Sequence, residues 1–247
     1  MIQNGSTPLF RTTVLIPVYN ESGIIPLMIT AVQEFSASHP DYYFVFINDG
    51  SSDLTGDLIR SSIEGNPGMK LLDMPINQGK AAALKVGMEQ ANTELICFTD
   101  GDLAYSLDHL LLLVESLEKH DVAIGNRNLG EKHLRNVKRM IAGESFNRLV
   151  RILLRMPYTD TQAGIKGFRK EAGKNLFRLF RIRDFAFDAE LLYIARRKGY
   201  SIGLIPARVD ESHQNYPSNV SVISDSVGMF WSLLKIIVNG IRGCYDE

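Results

Sequence analysis

From Thr12 onward the chain alternates short runs of β-branched and aromatic residues with longer stretches in which apolar positions recur every three or four residues. That is the pattern of strand–helix–strand units around a mostly parallel sheet. Thr13 to Pro17 predicts a first strand and Ile24 to Ser36 a first helix. Tyr42 to Ile47 is continuously apolar, as a central strand covered on both faces is, and it stops at the turn-forming Asn48-Asp49-Gly50. Asp53 to Ser62 predicts a second helix, Lys70 to Met74 a third strand and Lys80 to Ala91 a third helix. Glu94 to Thr99 reads as another buried strand, ending at Asp100-Gly101-Asp102. Ser106 is placed to cap a helix that runs to Lys119, before a strand from Asp121 to Ile124.

The rhythm changes after Gly125. Residues 131–156 read as a long basic helix, Asp160 to Lys170 as a glycine-containing turn region, 171–181 and 188–198 as two short helices, and Ile202 to Val209 as a strand. A polar loop from Asp210 to Asn219 leads into a last amphipathic helix, Val222 to Ile241. There Ile223, Val227, Phe230, Leu234, Ile237 and Ile241 form a stripe at helical spacing, with Trp231 beside it and Lys235 and Arg242 outside it. No repeat or low-complexity linker divides the sequence. The expected organisation is an N-terminal tail (1–11) and one domain (12–247), residues 12–125 making one half and 126–247 the other.

Composition narrows the classes. Of 247 residues 45% are hydrophobic, enough to bury a real core, and 27 Lys+Arg against 28 Asp+Glu leave a net charge of −1, which removes any global attraction for nucleic acid. Attraction for phosphate must therefore be local. Two widely separated cysteines, Cys97 and Cys244, give no zinc or disulfide pattern. Residues 1–10 lack the features of a secretory signal, and no run reaches the length of a membrane span. The expected location is the cytoplasm.

Three acidic sites close successive strand ends: Glu21, Asp49 and the pair Asp100/Asp102. Strand ends of a parallel sheet share one edge, and ligands bind there. Crowded carboxylates call for a cation or a set of donors between them. The Asp-x-Asp spacing, read as two oxygens on one side of a strand with Gly101 allowing close approach, suits Mg²⁺ or Mn²⁺. Lys80 opens a helix, where a cation and backbone N–H groups make an anion site. Neither dinucleotide nor P-loop glycine patterns occur. Lys132, Arg135, Lys138, Arg139, Arg148, Arg151 and Arg155 gather in an amphipathic segment, which reads either as a solvated face or as a helix at a membrane surface. Asp188 with Glu190 reads as a helix-start acid or a structural pair.

The runs VLIPVYNE (14–21), FINDGSSD (46–53), NQGKAAALKVG (77–87) and TDGDLAYS (99–106) resemble the nucleotide-sugar half of the GT-A fold of inverting glycosyltransferase family 2. TDTQAGIKGFRK (159–170) and FAFDAELLYIARRKGY (185–200) are similar to its polyprenyl-phosphate sugar transferases, the dolichyl-phosphate glucosyltransferase and mannose synthase branch. The resemblance implies an α/β GT-A fold, a mostly parallel central sheet flanked by helices. It implies that Pro17, Tyr19 and Glu21 contact base and ribose, Asp49 the base and Lys80 the nucleotide. Asp100, Gly101 and Asp102 would hold ribose, diphosphate and metal, with Asp102 the main ligand and Asp100 the second. Arg127 would face the donor diphosphate, Arg139 and Arg135 the acceptor phosphate, and Asp188 stands where relatives with hydroxyl acceptors carry a base. Ala104 departs from the mannose-synthase pattern, which has Gln there, and leans the reading toward glucosyltransferases.

The expected activity is transfer of one hexose, with inversion, from a UDP- or GDP-sugar to a polyprenyl phosphate, dependent on Mg²⁺ or Mn²⁺. The expected attachment is peripheral, on the cytoplasmic face of a membrane, through the last helix and residues 131–156. Transfer to a saccharide hydroxyl with Asp188 as base, and a non-catalytic nucleotide-sugar-binding module, are the alternatives.

Overall fold

The computed structural model describes residues 10–129, 147–184, 186–209 and 222–246, the stretch 222–227 as backbone only. Its strands are β1 (Thr12–Val18), β2 (Tyr42–Asn48), β3 (Met69–Asp73), β4 (Leu95–Phe98), β5 (Val122–Asn126), β6 (Lys166–Arg169) and β7 (Ile202–Pro206). Its helices are α1 (Ile25–Ser38), α2 (Thr55–Ile63), α3 (Lys80–Gln90), α4 (His109–Leu117), α5 (147–153), α6 (Lys170–Leu179), α7 (Phe187–Arg197) and α8 (Val222–Ile241).

The strands form one sheet in the order β3-β2-β1-β4-β6-β5-β7. All run parallel except β6, which is antiparallel to both β4 and β5. Every residue of β1 is buried, because helices cover both faces. The pleat sends alternate side chains to opposite layers. Val14 and Ile16 join the core with α1, α2 and α4, while Leu15 joins the core with α3, α6 and α7.

Two expectations are corrected. The segment expected to be a turn region, 160–170, contains β6, a strand of four residues that begins with Lys and has Gly second, so that it carries no alternation to read. Ser106 does not cap α4, which starts at His109; its hydroxyl accepts from the Asp108 N–H and closes a turn before the helix. Of the basic segment only α5 and the residues after it are described, so Lys132, Arg135, Lys138 and Arg139 lie outside the described residues, as does the polar loop.

Helix α8 has two apolar faces. Leu233 and Ile236 are fully buried against the core. The stripe expected from the sequence is divided: Ile237 packs against the core and Leu234 is half-buried, whereas Phe230 is 38% exposed and Ile241 81%, beside Trp231 at 60%. No helix among the described residues is long and apolar enough to cross a membrane.

Candidate active site

Strands β2, β1 and β4 are adjacent, with Val18 opposite Asn48 and Leu15 opposite Phe98, so the segments that leave their carboxyl ends open on one edge. A cleft of about 430 Å³ lies there. Pro17, Tyr19 and Glu21 line it after β1, Asp49 after β2, and Asp100, Gly101 and Asp102 after β4. Lys80 enters from the first turn of α3 and Asp188 from the first turn of α7.

Asp49 is buried, and its two oxygens accept from the backbone N–H groups of Gln78 and Gly79, each at 2.8 Å. It thereby fixes the loop that starts α3 and sets Lys80 over the cleft. The Lys80 ammonium bonds Asp100 and lies 5.6 Å from the centre of the Phe98 ring. Burial opposes its charge, but the carboxylates of Asp100 and Asp188 outweigh burial and raise its pKa above the ordinary lysine value.

Asp100, Gly101 and Asp102 do not continue the strand. They sit in a turn in which Asp102 accepts from the Ala104 N–H at 3.0 Å and Leu103 takes φ 50°. Two glycines let this turn pack. A Cβ on Gly101 would stand 2.5 Å from Glu21 Oε2, and one on Gly164 would stand 1.7 Å from Asp100 Oδ2. Glu21 is thus pressed against the turn, and its Oε2 is buried with no hydrogen-bond partner. Burial, then Asp102, Asp100 and Asp53, push the Glu21 carboxyl up to about 7.

Asp188 bonds the ammonium of Lys166 at 2.7 Å, and both side chains are buried. It does not pair with Glu190, which accepts from the N–H groups of Arg181 and Ile182 and from the Tyr245 hydroxyl. Arg127 is the exception among the expected residues: its guanidinium forks onto Asp160 at 2.7 Å for both bonds, and it does not line the cleft. Arg139 lies outside the described residues. Sequence reasoning gave no role to Lys166, Asp160 or Gly164. All three fall in or beside a run it had marked, TDTQAGIKGFRK, but only the long-range pairing reveals what they touch.

The donor set suits a hard divalent cation. Three carboxylates crowd one another, and one buried oxygen lacks any donor. Among the described residues no three acidic, His or Cys side chains are arranged to chelate an ion by themselves. Such an ion would need diphosphate oxygens as well, which is how Mg²⁺ is ordinarily bound.

The chain resembles a dolichyl-phosphate beta-glucosyltransferase of Trichomonas vaginalis, 29% identical over 238 residues that cover 92% of this chain and 72% of that protein. The Dictyostelium discoideum dolichyl-phosphate beta-glucosyltransferase is 29% identical over 94% of this chain and 76% of its own length. Among solved structures, glucosyl-3-phosphoglycerate synthase from Mycobacterium tuberculosis, in complex with Mn²⁺, UDP and glucosyl-3-phosphoglycerate, superposes with a TM-score of 0.65 at 16% identity, covering 93% of this chain and 79% of that one. A mannosyltransferase from Pyrobaculum calidifontis, in complex with GDP-Man and Mn²⁺, gives 0.56 at 20% identity over 79% of this chain and 55% of that one. The fold is the GT-A fold. The Glycosyl transferase family 2 model matches residues 13–177, from β1 into α6, and the chain belongs to that family.

Proposed function

We propose that this glycosyltransferase moves a glucosyl residue, with inversion, from a nucleotide-diphosphate sugar to a polyprenyl phosphate. The observation that carries the donor side is the convergence of Glu21, Asp100, Asp102 and Lys80 on one cleft at the carboxyl edge of the sheet. Asp102 and Asp100 would hold Mg²⁺ or Mn²⁺, which neutralises charge on the diphosphate. Pro17, Tyr19 and Glu21 take the base and ribose. Tyr19, 44% exposed at the rim, can lie along a base. Lys80 contributes positive charge toward the diphosphate as the sugar–oxygen bond breaks.

Two observations favour a lipid phosphate as acceptor. The relatives named above are dolichyl-phosphate beta-glucosyltransferases. The outer face of α8 presents Phe230, Trp231, Val238 and Ile241 to solvent, with Lys235 also exposed at its edge, the composition of a helix that rests on an anionic bilayer. A phosphate acceptor arrives as an oxyanion and attacks the anomeric carbon opposite the leaving diphosphate without a strong base. Arg139, and Arg135 with it, are our assignment for holding that phosphate. Attachment is then peripheral, on a cytoplasmic membrane face.

The test is turnover. UDP-glucose and GDP-mannose are each offered with a polyprenyl phosphate and with saccharide acceptors, with Mn²⁺, Mg²⁺ or a chelator. The expected result is metal-dependent glucosyl polyprenyl phosphate. Product only on a saccharide hydroxyl, or donor binding without product, overturns the proposal. Flotation with anionic liposomes checks the membrane contact, which Trp231→Ala with Phe230→Ala should weaken.

A further inference from the structure

The ion pair behind the cleft has no evident purpose in the fold. Lys166 belongs to β6 and lies opposite Phe98 of β4 and Ile124 of β5, in the middle of a sheet. Its ammonium donates to the Ala163 carbonyl and to Asp188 Oδ1, both at 2.7 Å, and stands 5.5 Å from the centre of the Phe98 ring. Burial, and after it the charge of Lys80, lowers the lysine's pKa, with Asp188 opposing them. Well-packed apolar residues in place of such a pair are commonly neutral or stabilising. Stability therefore does not call for a lysine here.

The pair belongs to a cluster in which acidic and basic side chains face one another. Asp188 is faced by Lys166 from β6, by Lys80 from α3 and by Arg127 from the end of β5. Lys166 is faced in turn by Asp188, Asp160 and Lys80. Of these two partners only Asp188 lines the cleft; Lys166 stands behind it.

We infer that Lys166 is a positioning residue of the transfer reaction: it holds Asp188 at the cleft wall and cancels its charge, so that an acceptor bringing its own negative charge can approach. The same bond leaves one Asp188 oxygen occupied by a donor, which suits an oxyanion and not a neutral hydroxyl. The inference rests on the lipid-phosphate reading of the acceptor.

The test compares Lys166→Met, Asp188→Asn and the double variant, reading kcat/KM for polyprenyl phosphate from pH 6 to 9 and UDP-glucose affinity by calorimetry. Lys166→Met should bind donor nearly as the parent does but lose acceptor kcat/KM by about 30-fold at high pH, the effect of one uncancelled charge roughly 8 Å from an anion at an effective dielectric of about 20. The loss should shrink as pH falls, because a buried carboxyl without its ammonium takes up a proton more readily. The double variant should regain most of the lost acceptor kcat/KM and lose that pH dependence. A loss that is equal at every pH and not relieved by the second substitution overturns the inference and leaves the acceptor reading intact. A parent enzyme that makes no polyprenyl product overturns both. If Lys166→Met does not fold, Asp188→Asn alone decides: it should cost less than about tenfold with the phosphate acceptor, whereas a loss on the order of 10³-fold, the size of a missing general base, overturns the inference.

Discussion

Glu21→Gln should stabilise the metal-free protein at alkaline pH. In the fold the Glu21 carboxyl is raised from its ordinary 4.5 to about 7, chiefly by burial and then by Asp102, Asp100 and Asp53. Between these two values the folded protein holds a proton that the unfolded chain has released. Its stability is therefore complete below pH 4.5, declines as pH rises, and has lost the whole contribution once pH passes the folded value. A shift of this size amounts to roughly 2.5 kcal/mol of lost stability between pH 5 and pH 8 from this one group. Glutamine keeps the shape, and the Glu21 backbone N–H keeps its bond to the Thr55 hydroxyl. The variant should unfold in urea with a smaller change in midpoint between pH 5 and pH 8, and at pH 8 it should exceed the parent. The assay is equilibrium denaturation at both pH values with a chelator present. An unchanged pH slope refutes the reasoning, because Glu21 would then titrate in the fold as it does in the unfolded chain.

Lys80→Met removes the ammonium that bonds Asp100 at the cleft; donor kcat/KM should fall by about 10²-fold, as loss of one group that stabilises charge developing on the leaving group does, and steady-state kinetics with varied UDP-sugar checks this. Gly164→Ala places a Cβ 1.7 Å from Asp100 Oδ2. The carboxylate must move, at a cost of about 1–3 kcal/mol, and differential scanning fluorimetry should show both a lower Tm and a smaller upward shift with UDP and Mn²⁺. Asp160→Asn leaves the Arg127 guanidinium without its bidentate counter-ion; a loss of about 3 kcal/mol is expected from a broken buried pair, measured as a drop in urea midpoint.

Much of the fold was legible because helix and strand periods are local. The apolar YYFVFI run named β2, and the onset of α3 at Lys80 and the span of α8 were read to the residue. The strand ends were legible too, since any parallel sheet gathers them on one edge, and the residues marked there do line one cleft. Strand β6 was not, because Lys166 and Gly167 mask its alternation and its pairing is with strands far away in sequence. The direction of α8 was hidden for another reason: a helix apolar on two sides has a periodicity that does not say which side meets the core. The bond from Arg127 to Asp160 was not legible, because the two lie 33 residues apart, a separation that no local pattern encodes.

The insertion of β6 has a consequence for how the two halves of the chain work together. A sheet closed by a parallel strand beside β4 would have brought a helix crossover to this place. The antiparallel β6 instead brings its own entry segment, which sets Gly164 against Asp100 and Lys166 against Asp188. One segment thus packs the turn proposed to grip the donor and pairs with the carboxylate proposed to face the acceptor. The family match ends at residue 177, ahead of α7 and Asp188. The bond from Lys166 to Asp188 thus ties a strand inside the matched range to a helix beyond it, and the acceptor's charge is the property that should change when the bond is lost.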